Sequence, residues 1–340
     1  MLPGETLMSS IPPAFDQRDD GADRALRPRR LQEFTGQRAV TANLTVAIEA
    51  ARQRSDQLDH VLLSGPPGLG KTTLAHIMAA EMEATIIETA GPMLDKPGDL
   101  AGILSGLQAG SVLFIDEVHS LKRVVEEYLY AAMEDYRITI QLGEGATTNA
   151  LTLNLAPFTL VAATTREGLL TAPFRSRFGI RERLDLYAEE DLVSILQRSA
   201  SLLQVNADSD GLATIARRSR GTPRYANNHL RRIRDLAQVR YDNMITSAVA
   251  IEGLAMLGID EAGLTELDRR ILRALAEAGR PVGLKTLAVQ VGEEDGTIED
   301  VYEPYLIQSG LLSKTPSGRL LTSKGYHHLG LDQGQQDLFA

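Results

Sequence analysis

The sequence predicts an α/β protein: a parallel sheet flanked by helices, then a helical block, then a small winged-helix unit. Three observations predict it. Over the first half, short apolar runs alternate with helical patterns, as in a parallel sheet covered on both faces. From 188 to 258 the pattern is helical and arginine-rich, with no strand candidate. From Leu264 to Leu331, three apolar-periodic helices precede two short strands near 311–322, the order of a winged helix-turn-helix. The expected division is a mobile tail over 1–22, units over 23–187, 188–258 and 261–331, and a second tail over 332–340.

The first strand is His60-Val61-Leu62-Leu63-Ser64, and it runs into Gly65-Pro66-Pro67-Gly68-Leu69-Gly70-Lys71-Thr72. This matches the phosphate-loop pattern G-x-x-x-x-G-K-[ST]. Its glycines, Gly68 and Gly70 among them, let backbone N–H groups turn inward around phosphate oxygens. The following helix, with Leu74, Ile77, Met78 and Met82 on its apolar stripe, adds the partial positive charge of its N-terminus. Lys71 supplies a charge for the β- and γ-phosphates, and the Thr72 hydroxyl can ligate Mg²⁺.

The second strand, Val112-Leu113-Phe114-Ile115, delivers Asp116 and Glu117 to its C-terminal edge, where open α/β sheets hold ligands. Asp116 suits the Mg²⁺ shell and Glu117 suits a general base toward water. Next, 136–142 and 151–155 alternate with period two around a polar stretch, which predicts a β-hairpin over 136–155. Periodicity alone leaves open whether its Ile/Leu face is an ordinary edge or a docking surface. The third strand, Phe158 to Ala163, ends in Thr164 and Thr165, and a hydroxyl there can orient water. Arg175-Ser176-Arg177-Phe178 follow Pro173, and an arginine reaching from a neighbouring subunit could stabilise charge in a phosphoryl transfer.

Composition narrows the classes. The net charge of −10 does not predict bulk attraction to nucleic acid, so DNA contact needs a local basic surface. The absence of cysteine excludes disulfides, thiolate zinc sites and cysteine nucleophiles. No apolar run reaches the roughly 18 residues of a membrane helix, and a soluble cytoplasmic protein is expected. In the winged unit the candidate recognition helix, near 297–309, carries Glu299, Asp300 and Glu303 and is ill suited to a major groove. The wing is the better DNA element, through Lys314 and Arg319 to backbone phosphates. His327 and His328 are read as surface residues, and Tyr225 as packing.

Taken in this order, the phosphate loop, Asp116-Glu117, Thr165, Ser176-Arg177-Phe178 and Gly221-Thr222-Pro223-Arg224 resemble the AAA+ ATPases. The resemblance tightens to the RuvB family of Holliday-junction branch-migration motors. It is carried by Asp23 to Pro28, Phe34-Thr35-Gly36-Gln37, Asp116-Glu117-Val118-His119, Ala132 to Tyr136, Ala163 to Arg166, Arg175 to Gly179, Gly221 to Asn227 and Thr297 to Ile307. It covers roughly 23–331.

The resemblance implies a hexameric ring around duplex DNA that converts ATP hydrolysis into branch migration with a RuvA partner and a RuvC-type resolvase. It implies that Leu26 and Arg27 border the adenine, and that Gly68, Lys71, Thr72 and Thr73 hold phosphates. Glu134, Asp135 and Tyr136 would lie near nucleotide at the subunit boundary. Arg177 would be the arginine finger, and Tyr187 and Arg224 would contact nucleotide. The hairpin 136–155 would dock RuvA. Two stretches depart from the family: Thr148-Asn149-Ala150 in the hairpin, and Lys314-Thr315-Pro316-Ser317-Gly318-Arg319 in the wing, which keeps fewer cations. A clamp-loader-like ATPase or a nucleotide-switched DNA regulator is the alternative; a switch would lack multiple-turnover hydrolysis on DNA.

Overall fold

The computed structural model describes residues 25–142 and 149–331. The expected tails, Asp23, Arg24 and Thr148 lie outside the described residues. The strands are β1 (Val61–Ser64), β2 (Ile86–Ala90), β3 (Val112–Asp116), β4 (Arg137–Leu142), β5 (Asn149–Asn154), β6 (Thr159–Thr164), β7 (Ile180–Arg183), β8 (Asn206–Ala207), β9 (Met244–Ile245), β10 (Leu312–Thr315) and β11 (Gly318–Leu321).

A five-stranded parallel sheet has the order β2-β3-β6-β1-β7. The three central strands are the apolar runs, buried along almost their whole length because helices cover both faces. The apolar runs do not mark β2 and β7. Both are edge strands: β2 is mostly half-buried, and β7 reads Ile-Arg-Glu-Arg because alternate side chains meet water. β1 lies between β6 and β7, and β3 lies beyond β6, so the loops after β1, β3 and β6 open on one edge of the sheet.

The helix Lys71–Glu81 buries Leu74, Ile77 and Met78 on the sheet as its stripe predicts. One core lies on this side and continues into the helical block through Leu196, Ile215, Leu230, Ile233 and Leu254. A second core, on the other face, holds Leu113, Ile115, Leu160, Phe158 and Phe174. A third, around Ile271, Leu275, Leu287, Ile298 and Leu306, belongs to the C-terminal unit alone.

β4 and β5 form an antiparallel hairpin with Ile138 opposite Leu153 and Ile140 opposite Leu151. Its apolar face is divided. Ile138 is fully buried and Leu153 packs on the same core, whereas Leu151 is 43% exposed. On the opposite face, the Thr139 and Thr152 hydroxyls meet at 2.9 Å.

The helical block carries one element that its pattern does not announce. β8 and β9 pair in parallel over two residues each, too short to leave a period in the sequence. In the C-terminal unit, helices Glu266–Ala278 and Leu284–Val291 precede a helical stretch over 295–308, then the β10–β11 wing and a further helix, Ser323–His328. Within 295–308, Ile298–Tyr302 is π-helical just before Pro304, which has no N–H to continue the α-helical ladder.

Candidate active site

The phosphate loop owes its shape to backbone conformations that favour glycine. Gly65 has φ +132°, and a Cβ there would lie 2.3 Å from the Leu184 carbonyl oxygen. Gly70 caps the helix Lys71–Glu81 at φ +107°. The helix N-terminus and its free N–H groups therefore face the loop.

Lys71 is 7% exposed, and its ammonium donates to the Gly65 and Pro66 carbonyl oxygens at 2.8 and 2.9 Å. Desolvation pulls its pKa down to about 8, against the opposing pull of the Asp116 and Glu117 carboxylates. The ammonium is thus held on carbonyls of the loop itself.

A cavity of about 340 Å³ surrounds this loop. Leu26 and Arg27 line one end; Gly68, Gly70, Lys71, Thr72 and Thr73 form the floor; Asp116 and Glu117 line the side; Tyr187 and Arg224 come from beyond the sheet. The buried Tyr187 hydroxyl donates to the Leu69 carbonyl at 2.9 Å, and burial raises its pKa. The Arg224 N–H reaches the Gly68 carbonyl at 3.4 Å. A Cβ on Gly68 would stand 2.8 Å from Thr222 Cγ2, so the helical block rests directly on the loop.

Sequence reasoning passed over some of the lining. Phe34 packs where a Cβ on Gly70 would be, at 3.0 Å. Arg198 donates to the Leu26 carbonyl at 2.6 Å across 172 positions of chain and pairs with Glu33 at 3.4 Å. No motif marks it, because a single arginine on an amphipathic helix has no sequence signature.

At the end of β3, Glu117 has φ +48°, and its N–H donates to Asp116 Oδ1 at 2.9 Å. That turn aims the two carboxylates separately. The Thr165 hydroxyl donates to Glu117 Oε2 at 3.3 Å, so the end of β6 meets the end of β3. Thr72 and Asp116 both line the cavity. A hydroxyl and a carboxylate suit a magnesium ion that keeps several waters and shares the phosphates. No cluster of three or more acidic or histidine side chains able to hold a metal occurs among the described residues.

Glu134, Asp135, Tyr136 and Arg177 do not line this cavity. Glu134 and Asp135 end the helix Arg123–Asp135, and Tyr136 is its left-handed C-cap. The Arg177 guanidinium pairs with Glu134, both partly exposed, while Arg137 pairs with Asp135 at 3.5 Å. The Tyr136 hydroxyl accepts a hydrogen bond from the Gln57 side chain, and its ring meets Phe158 edge-on. These residues form a separate surface group.

In the wing, Lys314 is exposed and pairs with Glu299 at 2.9 Å; this hydrogen bond holds the Glu299 carboxyl below its ordinary range. Arg319, the other expected phosphate contact, lies deeper in the wing. It is 7% exposed, its guanidinium is clasped by the buried Glu303, and Glu299 lies 3.6 Å away. Within the helix near 297–309, Glu303 is buried and Asp300 pairs with Arg166. His328 is half-buried, 3.0 Å from Asp260, rather than a simple surface residue.

Three family models match the chain in succession: the Holliday junction DNA helicase RuvB P-loop domain over 26–184, the RuvB AAA lid domain over 187–260 and the RuvB C-terminal winged helix domain over 261–330. The chain is 54% identical over 328 residues to the Holliday junction branch migration complex subunit RuvB of Salinibacter ruber, covering 95% of each. It is also similar to the solved Thermotoga maritima RuvB Holliday junction branch migration motor, at 47% identity and a TM-score of 0.82, over 91% of this chain and 99% of that one. A mutant of the same Thermotoga protein aligns at 48% identity with a TM-score of 0.83, over 90% and 99% of the two chains. With a P-loop sheet, a lid resting on the loop and a winged helix in the same order, the chain belongs to the RuvB family of AAA+ ATPases.

Proposed function

We propose that this protein is an ATP-hydrolysing motor that drives branch migration of Holliday junctions during recombination and repair in the cytoplasm. Its working units are 23–187, 188–258 and 261–331. The observation that carries the reading is the nucleotide cavity closed by Tyr187 and Arg224, in a chain 54% identical to a branch-migration subunit over 95% of its length.

The chemistry follows from the site. Lys71 and the loop N–H groups hold the β- and γ-phosphates. Leu26 and Arg27 border the base. Thr72 and Asp116 would hold Mg²⁺, which would supply neutralisation of the phosphate charge when bound. Glu117 takes the proton of the attacking water, and the Thr165 hydroxyl helps orient it. Arg224 links the γ-phosphate to the lid.

Arg177, Glu134, Asp135 and Tyr136 lie outside the chain's own cavity, and in the proposed hexameric ring they serve the site of a neighbouring copy. Opening the Arg177–Glu134 pair frees the guanidinium for that site. The exposed Leu151 end of the hairpin docks a RuvA partner, and a RuvC-type resolvase acts on the same junction. Lys314 meets duplex phosphates without reading sequence.

Lys71→Ala is expected to abolish ATP-driven migration of a four-way junction in a gel-based assay; a variant that still migrates junctions refutes the reading. Arg177→Ala is expected to bind nucleotide normally while losing about 10³-fold in turnover. Mixing it with Glu117→Gln subunits should restore part of the activity, because some interfaces then hold one intact base and one intact arginine.

A further inference from the structure

We infer that His119 is a positioning residue for the Glu117 carboxylate, an inference that rests on the hydrolytic reading of the site. His119 stands two residues beyond Glu117 in the 3₁₀ turn Val118–Ser120, with its side chain 13% exposed. Its Nδ1 lies 2.9 Å from Thr164 Oγ1 and 3.2 Å from Glu117 Oε2. Thr164 is fully buried at the end of β6, and its hydroxyl oxygen accepts the Arg166 N–H at 3.0 Å. The threonine is therefore fixed by the sheet, and the imidazole bridges that fixed point to the general base.

The carboxylate beside the ring favours one tautomer. An ionised carboxylate only accepts hydrogen bonds, so the nitrogen facing it carries the hydrogen. Nδ1 is hydrogen-bonded to Thr164 Oγ1 at 2.9 Å and stands 3.2 Å from Glu117 Oε2, so the imidazole edge sits against the oxygen that also receives the 3.3 Å bond from Thr165. The backbone of this turn is held from the other side. A Cβ on Gly91 would fall 2.4 Å from the Glu117 carbonyl oxygen, so only a glycine at the end of β2 permits this close approach. Gly91 seats the main chain and His119 restrains the side chain. The Glu117 side chain is 39% exposed and would otherwise sample rotamers that point it away from the attacking water.

The test uses the full-length chain, with steady-state ATP turnover and the affinity for a fluorescent ADP analogue measured side by side. His119→Ala is expected to lower kcat by about tenfold or more while nucleotide affinity stays within about twofold, because the lost contact acts on the base and not on the phosphates. His119→Asn places an amide N–H close to where Nδ1–H stands and should recover most of the turnover. His119→Gln carries its amide farther out and should remain near the alanine variant. Unchanged turnover in His119→Ala, or equal turnover in the Asn and Gln variants, overturns the inference. Should the alanine variant lose nucleotide affinity through misfolding, the Asn-against-Gln comparison decides. A parent chain without ATP turnover would refute the hydrolytic reading itself, before any variant is compared, and this inference would fall with it.

Discussion

Lys71 shows how one residue's environment sets a binding property. Burial disfavours its charged form, and the carboxylates of Asp116 and Glu117 recover only part of that loss, leaving a pKa of about 8. A bound triphosphate favours the charged form and raises the pKa. Below pH 8 the ammonium is already present and nucleotide affinity should be flat. Above pH 8 the free protein loses the proton that the complex keeps, so affinity should fall by up to about tenfold per pH unit. Titration of a fluorescent nucleotide analogue between pH 7 and 9.5 checks this, and a flat profile over that range would contradict it. The stability term has the opposite direction. A lysine whose folded pKa is depressed is protonated in the unfolded chain between pH 8 and its ordinary range, so its contribution to stability rises with pH there.

The wing and the hairpin are elements whose surface and interior roles are divided along their length. In the wing, Lys314 and Arg319 are directly paired across the β10–β11 ladder, yet they belong to different environments. Lys314 stays in solvent, while Arg319 is enclosed with Glu303. Removing one partner of a buried ion pair leaves the other uncompensated, at a cost on the order of 3 kcal/mol. Glu303→Ala should therefore lower the hydrogen-exchange protection of 312–321 strongly, whereas Glu299→Gln should leave it largely intact and strengthen duplex binding by freeing Lys314. In the hairpin, Ile138 is anchored in the core and Leu151 is not. Leu151→Asp is expected to leave ATP turnover unchanged and to weaken RuvA capture by about tenfold, a loss typical of a well-seated apolar contact, read out by co-migration on sizing columns.

Among the ion pairs that join the C-terminal unit to the rest in the described residues, two differ sharply in depth. Arg220 and Asp268 are buried, 6% and 0% exposed; Arg220 also donates to the Gly263 carbonyl at 2.7 Å and lies under the Tyr305 ring at 4.7 Å. This junction binds the winged helix to the lid only four positions from Arg224. Arg166 and Asp300 join the winged helix to the end of β6, and both are over 40% exposed. An exposed pair contributes about 0–1 kcal/mol and can open and close freely. The winged helix should thus follow the lid while its contact with the sheet is made and broken. Asp268→Ala is expected to destabilise the 260–268 junction by on the order of 3 kcal/mol. Asp300→Ala should cost less than about 1 kcal/mol. Hydrogen exchange at 260–268 separates the two, and equal effects would rule out the division.

The sequence by itself determined the central strands, the phosphate loop, the Asp116–Glu117 edge and the order of the three units. These rest on local chemistry: buried strands must be apolar, a phosphate cradle needs glycines, and both leave contiguous signals. It also supplied, through resemblance, the residues proposed for a neighbouring copy's site. Only the tertiary structure decided the rest. The edge strands β2 and β7 carry no apolar run because water faces them. Arg198 reaches Leu26, and Arg220 reaches Asp268, across long stretches of chain. Arg319 reads as a wing cation until Glu303 is found folded over it, and nothing in the run Asp116-Glu117-Val118-His119 shows that β6 brings Thr164 to the His119 ring. Whether a charge meets phosphate, carboxylate or water depends on what the fold places opposite it, and that partner is written elsewhere in the chain.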